Sequence, residues 1–339
     1  MAVDLNSLVL LPALATDCGR GCGLAACPIL DLLVTSCHRD NTLHVFALPG
    51  SGTIADAGAG LARVCTLGGV ESPVPMQFRF VDASGKWSGW MAFTGPPASR
   101  HLILTDAGHD AVHVMDVVGR VHVGYVAAPG TIAGPRGVAA RGSLVAVSSW
   151  TDNDHLVRLF EGTGASWSAV RVLAGGFGGP GALDGELLRP YGVRFTADGS
   201  GLAVADSGNG RLSLFHVADG SFVRHVAATG LSTPMDVEEC EDGWLVVCFG
   251  PHDVKHVHGG GGGCGGRLGG YGTRPGQFNT PTSLAVVPGL GLVVRELLEQ
   301  RLQVFATPSA VAMAAMSPHR VAWMVAVARG LAHASSTRV

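Results

Sequence analysis

The chain has 339 residues, including 50 glycines and 18 prolines, with a formal net charge of −3 and 47% hydrophobic residues. So much apolar content at so low a charge excludes a disordered chain, and the near-neutral balance gives no overall basic footprint for nucleic acid. Glycine and proline spread evenly among apolar runs predict many short strands joined by turns.

At the N-terminus, Leu8 to Ala15 is apolar, but Asp4 precedes it and no basic segment accompanies it, which argues against a signal peptide. Residues 1–29, rich in glycine and cysteine from Cys18 to Cys27, are expected to be a poorly defined lead-in that at most adds to the first structural unit. The eight cysteines stand at 18, 22, 27, 37, 65, 240, 248 and 264 with no CxxC pair. These spacings predict reduced thiols rather than a disulfide framework, and give no tight pairs for zinc.

From residue 32 a pattern recurs. LLVTSCHRDNTLHVFAL (32–48), LILTDAGHDAVHVMDVVG (102–119), LVAVSSWTDNDHLVRLFEG (144–162), LAVADSGNGRLSLFHVADG (202–220), WLVVCFGPHDVKHVHGG (244–260) and LGLVVRELLEQRLQVFATP (290–308) share it. Each is an apolar run, a polar turn and an alternating strand. The first runs end at Thr35, Asp106, Ser148, Asp206, Cys248 and Arg295, at steps of 71, 42, 58, 42 and 47 residues. Periods near 40–50 with four strands per unit predict an all-β fold, a six-bladed β-propeller of four-stranded antiparallel blades. Insertions at 70–90 and 174–188 account for the long steps. The cleanest copy, residues 188–230, predicts strands at Tyr191–Phe195, Leu202–Ala205, Arg211–Val217 and Phe222–Val226, with Asx-Gly turns between them. Pro135, Pro190, Pro234 and Pro281 each open an inner strand, where a missing N–H costs no ladder bond.

The run RPYGVRFTADGSGLAVADSGNGRLSLFHVADGSFVRHV resembles an NHL repeat, and GQFNTPTSLAVVPGLGLVVRELLEQRLQVF does so through Gly276-Gln277-Phe278. Asn209-Gly210-Arg211-Leu212 matches the Asn-x-Arg-[Ile/Leu] signature of that family; Glu299-Gln300-Arg301-Leu302 lacks the asparagine. The resemblance spans about residues 30–308 and implies a six-bladed NHL-type propeller. Residues 309–339 would then close the ring, with Val321 to Val327 pairing with the first unit, so that deleting them costs folding. No RING, B-box or coiled-coil pattern precedes the repeats, so the ligase activity of tripartite-motif relatives is not implied.

No GxSxG elbow, phosphate loop or fixed triad spacing appears, and the favoured reading is a non-catalytic protein-binding scaffold. The turns of one face carry Asp40, Asp106, Asp110, Asp152, Asp154, Asp206, Asp253, Glu296 and Glu299 against fewer cations, which predicts an acidic mouth for a basic peptide or a cation. The competing reading of these carboxylates is turn formation. Trp87, Trp150, Asp152, Asp154, Asp106, Asp110 and Arg136 are the candidate partner contacts, the tryptophans because exposed loop aromatics favour binding. His252, His256 and His258 are weak zinc candidates, for want of a second ligand set. Alternatives are a metal-dependent propeller lyase or hydrolase and an RNA-binding NHL module. No cofactor is assigned, zinc and calcium being left open. Neither side of the break at Ser317–Arg320 is long enough to span a bilayer, and a soluble, cytoplasmic monomer is expected.

Overall fold

A strand pressed between two neighbouring sheets needs apolar side chains on both faces, and the continuous runs of the repeat suit that place. The computed structural model describes residues 5, 8–15, 19–48, 63–69, 76–94, 101–151, 154–175, 180–226, 231–260, 264–288 and 291–306. They form six four-stranded sheets arranged as a propeller. β1 (Val9–Ala15) comes first in the chain but belongs to the last blade. Blade 1 is β2 (Leu24–Cys27), β3 (Leu32–Cys37), β4 (Thr42–Ala47) and β5 (Arg63–Gly68). Blade 2 is β6 (Met91–Phe93), β7 (His101–Asp106), β8 (Ala111–Asp116) and β9 (Val121–Ala127). Blade 3 is β10 (Pro135–Arg141), β11 (Leu144–Trp150), β12 (His155–Thr163) and β13 (Ser166–Ala174). Blade 4 is β14 (Pro190–Phe195), β15 (Gly201–Asp206), β16 (Arg211–His216) and β17 (Phe222–Val226). Blade 5 is β18 (Pro234–Cys240), β19 (Gly243–Cys248), β20 (Asp253–His258) and β21 (Cys264–Gly269). Blade 6 is β22 (Pro281–Val287), β23 (Gly291–Glu296), β24 (Leu302–Ala306) and β1.

All pairings within blades are antiparallel, and the burial pattern follows from position in the blade. The second strands β15, β19 and β23 are buried at every residue, whereas the outer strand β13 is exposed over much of its length. Val34, Leu43, Phe80, Leu102 and Leu104 fill the layer between blades 1 and 2. Val157, Leu159, Val193 and Phe215 do so between blades 3 and 4, and Leu212, Val237, Trp244 and Val246 between blades 4 and 5. Each such side chain contributes about 1.5–3 kcal/mol by leaving water.

Around the axis the inner strands are crowded, which explains their small residues. A Cβ on Gly137 would lie 2.2 Å from the Tyr191 carbonyl oxygen, and one on Gly192 2.6 Å from the Asp236 Cα. Hydroxyls then brace blade to blade. Thr105 Oγ1 donates to the Arg136 carbonyl at 2.7 Å, Ser148 Oγ to the Tyr191 carbonyl at 2.5 Å, and Ser207 Oγ to the Pro234 carbonyl.

The ring is closed from the N-terminus. β1 pairs antiparallel with β24, with Val9 opposite Ala306, Leu10 opposite Phe305 and Leu11 opposite Val304. Residues 309–339, assigned to ring closure from the sequence, lie outside the described residues. Blade 1 also has an inner strand, β2, which its short Leu-Ala-Ala-Cys run conceals in sequence. Among the described residues no helix is long and apolar enough to cross a membrane.

Candidate functional site

The turns between second and third strands, and the segments entering each inner strand, emerge at one end of the propeller. The insertion before blade 2 folds over that opening. Val81 and Trp87 form an antiparallel bridge, and the Asp82 carboxylate accepts N–H bonds from Ser84 and Lys86 at 2.8 and 2.9 Å, closing a tight hairpin. Arg136, at the start of β10 and fully buried, reaches up to hold it. Its guanidinium donates to Asp82 Oδ2 at 2.8 Å and to the Trp87 carbonyl at 2.9 Å. Burial works to raise the Asp82 pKa, but the bonds from Ser84 and Arg136 outweigh it and bring it down to about 2. Trp87 thereby lies across the mouth, its ring 6.5 Å from that of Phe249 in blade 5, on the opposite side of the ring of blades.

Beside the hairpin is a cavity of about 500 Å³ lined by Arg20, His38, Arg39, Val81, Trp87, Leu297, Leu298 and Gln300. Its charges are both cationic, since Arg20 and Arg39 are exposed. His38 is neutral near pH 7: burial lowers it to about 4, the Ser88 carbonyl bonded to its ring opposing the shift and Arg295 adding to it. Leu298 is 44% exposed. From Trp87 an aromatic track runs outward through Phe249 and His252 to Tyr271, with successive ring centroids 6.5, 6.3 and 4.9 Å apart. Tyr271 is 70% exposed. Partly exposed aromatics and arginines around an apolar floor are what protein-binding surfaces concentrate.

Four of the turn carboxylates serve the fold, in line with their reading as turn formers. Asp106, Asp206, Asp253 and Glu296 are fully buried, because each ends a second strand or opens a third and is turned inward. Asp206 accepts the Leu188 N–H at 2.7 Å, the Asn209 amide at 2.8 Å and Arg211 Nε at 2.7 Å. Glu296 repeats this in blade 6, accepting the Asn279 N–H at 2.8 Å and Arg301 Nε at 2.6 Å. Asp106 accepts the Arg79 N–H at 2.9 Å and faces His113 and His109 at 3.2 and 3.0 Å. Asp253 forms an ion pair with Arg267 at 2.6 Å. A carboxylate spent on internal donors offers little charge to a partner, so these four add no acidic surface, whereas Asp40 is exposed beside Arg39.

The remaining candidates are placed as follows. Trp150 is buried, ringed by the cations of Lys86, Arg136 and Arg189 at 4.3, 5.1 and 5.7 Å from its centroid. It supports the hairpin from beneath instead of projecting outward. Asp110 accepts the Gly134 N–H at 2.8 Å and Asp154 pairs with Arg158 at 2.8 Å. Asp152 lies outside the described residues. His252 is separated from His256 and His258: it holds a left-handed turn at φ 55° and accepts the Thr280 N–H at 2.8 Å. The other two stand on β20 at the opposite end of the propeller. Sequence reading missed Arg20, Phe249, Tyr271 and Leu298 as mouth residues. Leu297-Leu298 and Phe249 were the available signal, apolar residues in turns that are mostly polar in the other blades.

No protein-family model matches this chain, and no curated protein matches it. Among solved structures it is similar to a chain of the crystal structure of a nidogen/laminin complex, with a TM-score of 0.51 and 15% identity over 78% of this chain and 81% of that one. At that identity the likeness shows the fold alone, a six-bladed β-propeller.

Proposed function

We propose that this chain is a non-catalytic protein-binding propeller of the NHL type, which seats a peptide or loop carrying acidic and apolar side chains at the mouth beside Trp87. The single observation behind this is the 500 Å³ cavity where exposed Arg20 and Arg39 flank Trp87 and Leu298. Guanidinium forks bind carboxylates bidentately, and Leu298 and Trp87 supply area for an apolar neighbour. The NHL assignment rests on Asn209 and Arg211, whose bonds to Asp206 give the signature a structural use. The likeness to a propeller solved in a protein complex accords with a protein partner.

Selection of a displayed random-peptide library on the full chain tests this reading. Enriched peptides are expected to carry Asp or Glu near an apolar residue, and to lose about tenfold or more in affinity against Arg39→Glu with Leu298→Asp, the scale of a contact residue. Failure to enrich any peptide, or binding indifferent to both substitutions, overturns it.

A further inference from the structure

At the opposite end of the propeller from the mouth, blade 5 gathers four metal-ligating side chains. β18 ends at Cys240, a turn through Glu241 and Asp242 follows, and β19 starts at Gly243. Gly243 is opposite Cys240 in one ladder and opposite His258 in the next. Directly opposed residues point to the same face, so Cys240 and His258 share a face with only a glycine between them. His256, two residues earlier on β20, projects to that face as well. The outer strand leaves room for both imidazoles: a Cβ on Gly265 would lie 2.4 Å from His258 Nε2 and 2.8 Å from His256 Nδ1.

The donor atoms converge. Asp242 Oδ1 is 2.9 Å from His256 Nε2 and 3.8 Å from Cys240 Sγ, and Asp242 Oδ2 is 3.7 Å from His258 Nδ1. The ligand atoms of Cys240, Asp242 and His256 all lie within 4.8 Å of one another. Ligands on a tetrahedral ion at 2.0–2.3 Å stand roughly 3.3–3.8 Å apart, so small side-chain movements suffice. His256 is 6% exposed, and its Nε2 makes no hydrogen bond despite the nearby carboxylate. That ring nitrogen stands at ion-pair distance from the Asp242 carboxylate but outside hydrogen-bond alignment, a placement that shared coordination of a cation would satisfy.

We propose that Cys240, Asp242, His256 and His258 form a zinc site on the rim of blade 5. One thiolate, two imidazoles and one carboxylate are the borderline-soft set that selects zinc over calcium or magnesium. On binding, the Cys240 thiol releases its proton to solvent, and thiolate and carboxylate share the dication. Asp242 and His258 are 55% and 47% exposed, so an ion has a path in. The site ties the turn after β18 to β20, a structural role independent of the mouth.

Titration of the full chain with Co²⁺, a spectroscopic stand-in for zinc, tests the proposal. One equivalent should produce a thiolate-to-cobalt charge-transfer band that Zn²⁺ abolishes. Cys240→Ser should eliminate the band; Asp242→Asn and His258→Ala, at exposed positions that spare the fold, should each weaken binding about tenfold or more, at least what loss of an outer-shell partner costs. Cys37→Ser, in the separate grouping of Cys37, Asp40 and His44, should leave it unchanged. Absence of the band at one equivalent, its survival in Cys240→Ser, or its loss in Cys37→Ser each overturns the assignment.

Discussion

Trp87 and Phe249 meet across the mouth with ring centroids 6.5 Å apart, although 162 residues separate them and they enter from opposite blades. Their contact roofs the axis, and Arg136 holds the roof down through Asp82 and the Trp87 carbonyl. Asp82→Ala leaves the buried guanidinium without its carboxylate. Losing one partner of a buried pair costs about 3–5 kcal/mol, and the partial exposure of Asp82 brings the expectation to about 2 kcal/mol. Urea unfolding measures this, and Trp87 fluorescence should report a wetter ring in the variant.

The arginine clamps of blades 4 and 6 should not tolerate lysine. Arg211 donates to Asp206 and to the carbonyls of Ala182, Leu183 and Glu186. Arg301 likewise bonds Glu296 and the carbonyls of Thr273, Arg274 and Gln277. An ammonium cannot span that fan of acceptors. Arg211→Lys and Arg211→Ala are expected to cost similar amounts, about 3 kcal/mol, and equilibrium unfolding compares them. Full stability in the lysine variant would refute the geometric explanation.

Ring closure predicts a different asymmetry. Deleting residues 1–15 bares the edge of β24 and should lower the melting temperature by roughly 10 °C or cause aggregation, at about 2–4 °C per kcal/mol for chains of this size. A synthetic peptide of residues 5–18 added in trans should restore much of the loss. Thermal scans with and without the peptide decide this.

At the end of the channel opposite the mouth, burial raises Glu238 to about 7, Arg194 opposing the shift and Asp236 adding to it. Burial also raises Asp236 to about 6 against hydrogen bonds from Ser283, Leu284 and Val237. Both values lie above those of an unfolded chain, so the fold holds protons that the unfolded state has released. Their contribution is complete below about pH 4, and stability falls as pH rises from there through about 7. Across that range each of the two groups should contribute a loss of about 3 kcal/mol. Glu238→Gln should reduce the slope by about half, as denaturation midpoints between pH 4 and 8 will show; an unchanged slope would remove Glu238 as its source.

Much of the fold was legible because blades repeat. The expected strand Phe222–Val226 has the observed bounds, and Leu202–Ala205 falls one residue short of the observed strand at each end. A four-residue inner strand such as Leu24–Cys27 carries too few residues to show a period, so blade 1 looked incomplete. The site was far less legible. Asp106 and Trp150 have the composition of a contact surface, but local sequence does not say whether a turn residue points to water or back at an amide.

By itself the sequence determined the architecture: apolar runs with turn residues at a steady spacing leave sheets that bury both faces only by stacking in a ring. Tertiary structure alone decided which turn carboxylates are spent on the fold, the strand that closes the ring and the convergence of Cys240, Asp242, His256 and His258. Each depends on which groups from distant segments come within a few ångströms. A carboxylate 0.3 nm from a buried arginine or a backbone N–H is spent on the fold, on the scale where charge-assisted hydrogen bonds act. The same carboxylate facing solvent would belong to a partner. Periodicity carries information along one chain, whereas charge balance and coordination are properties of neighbours in space.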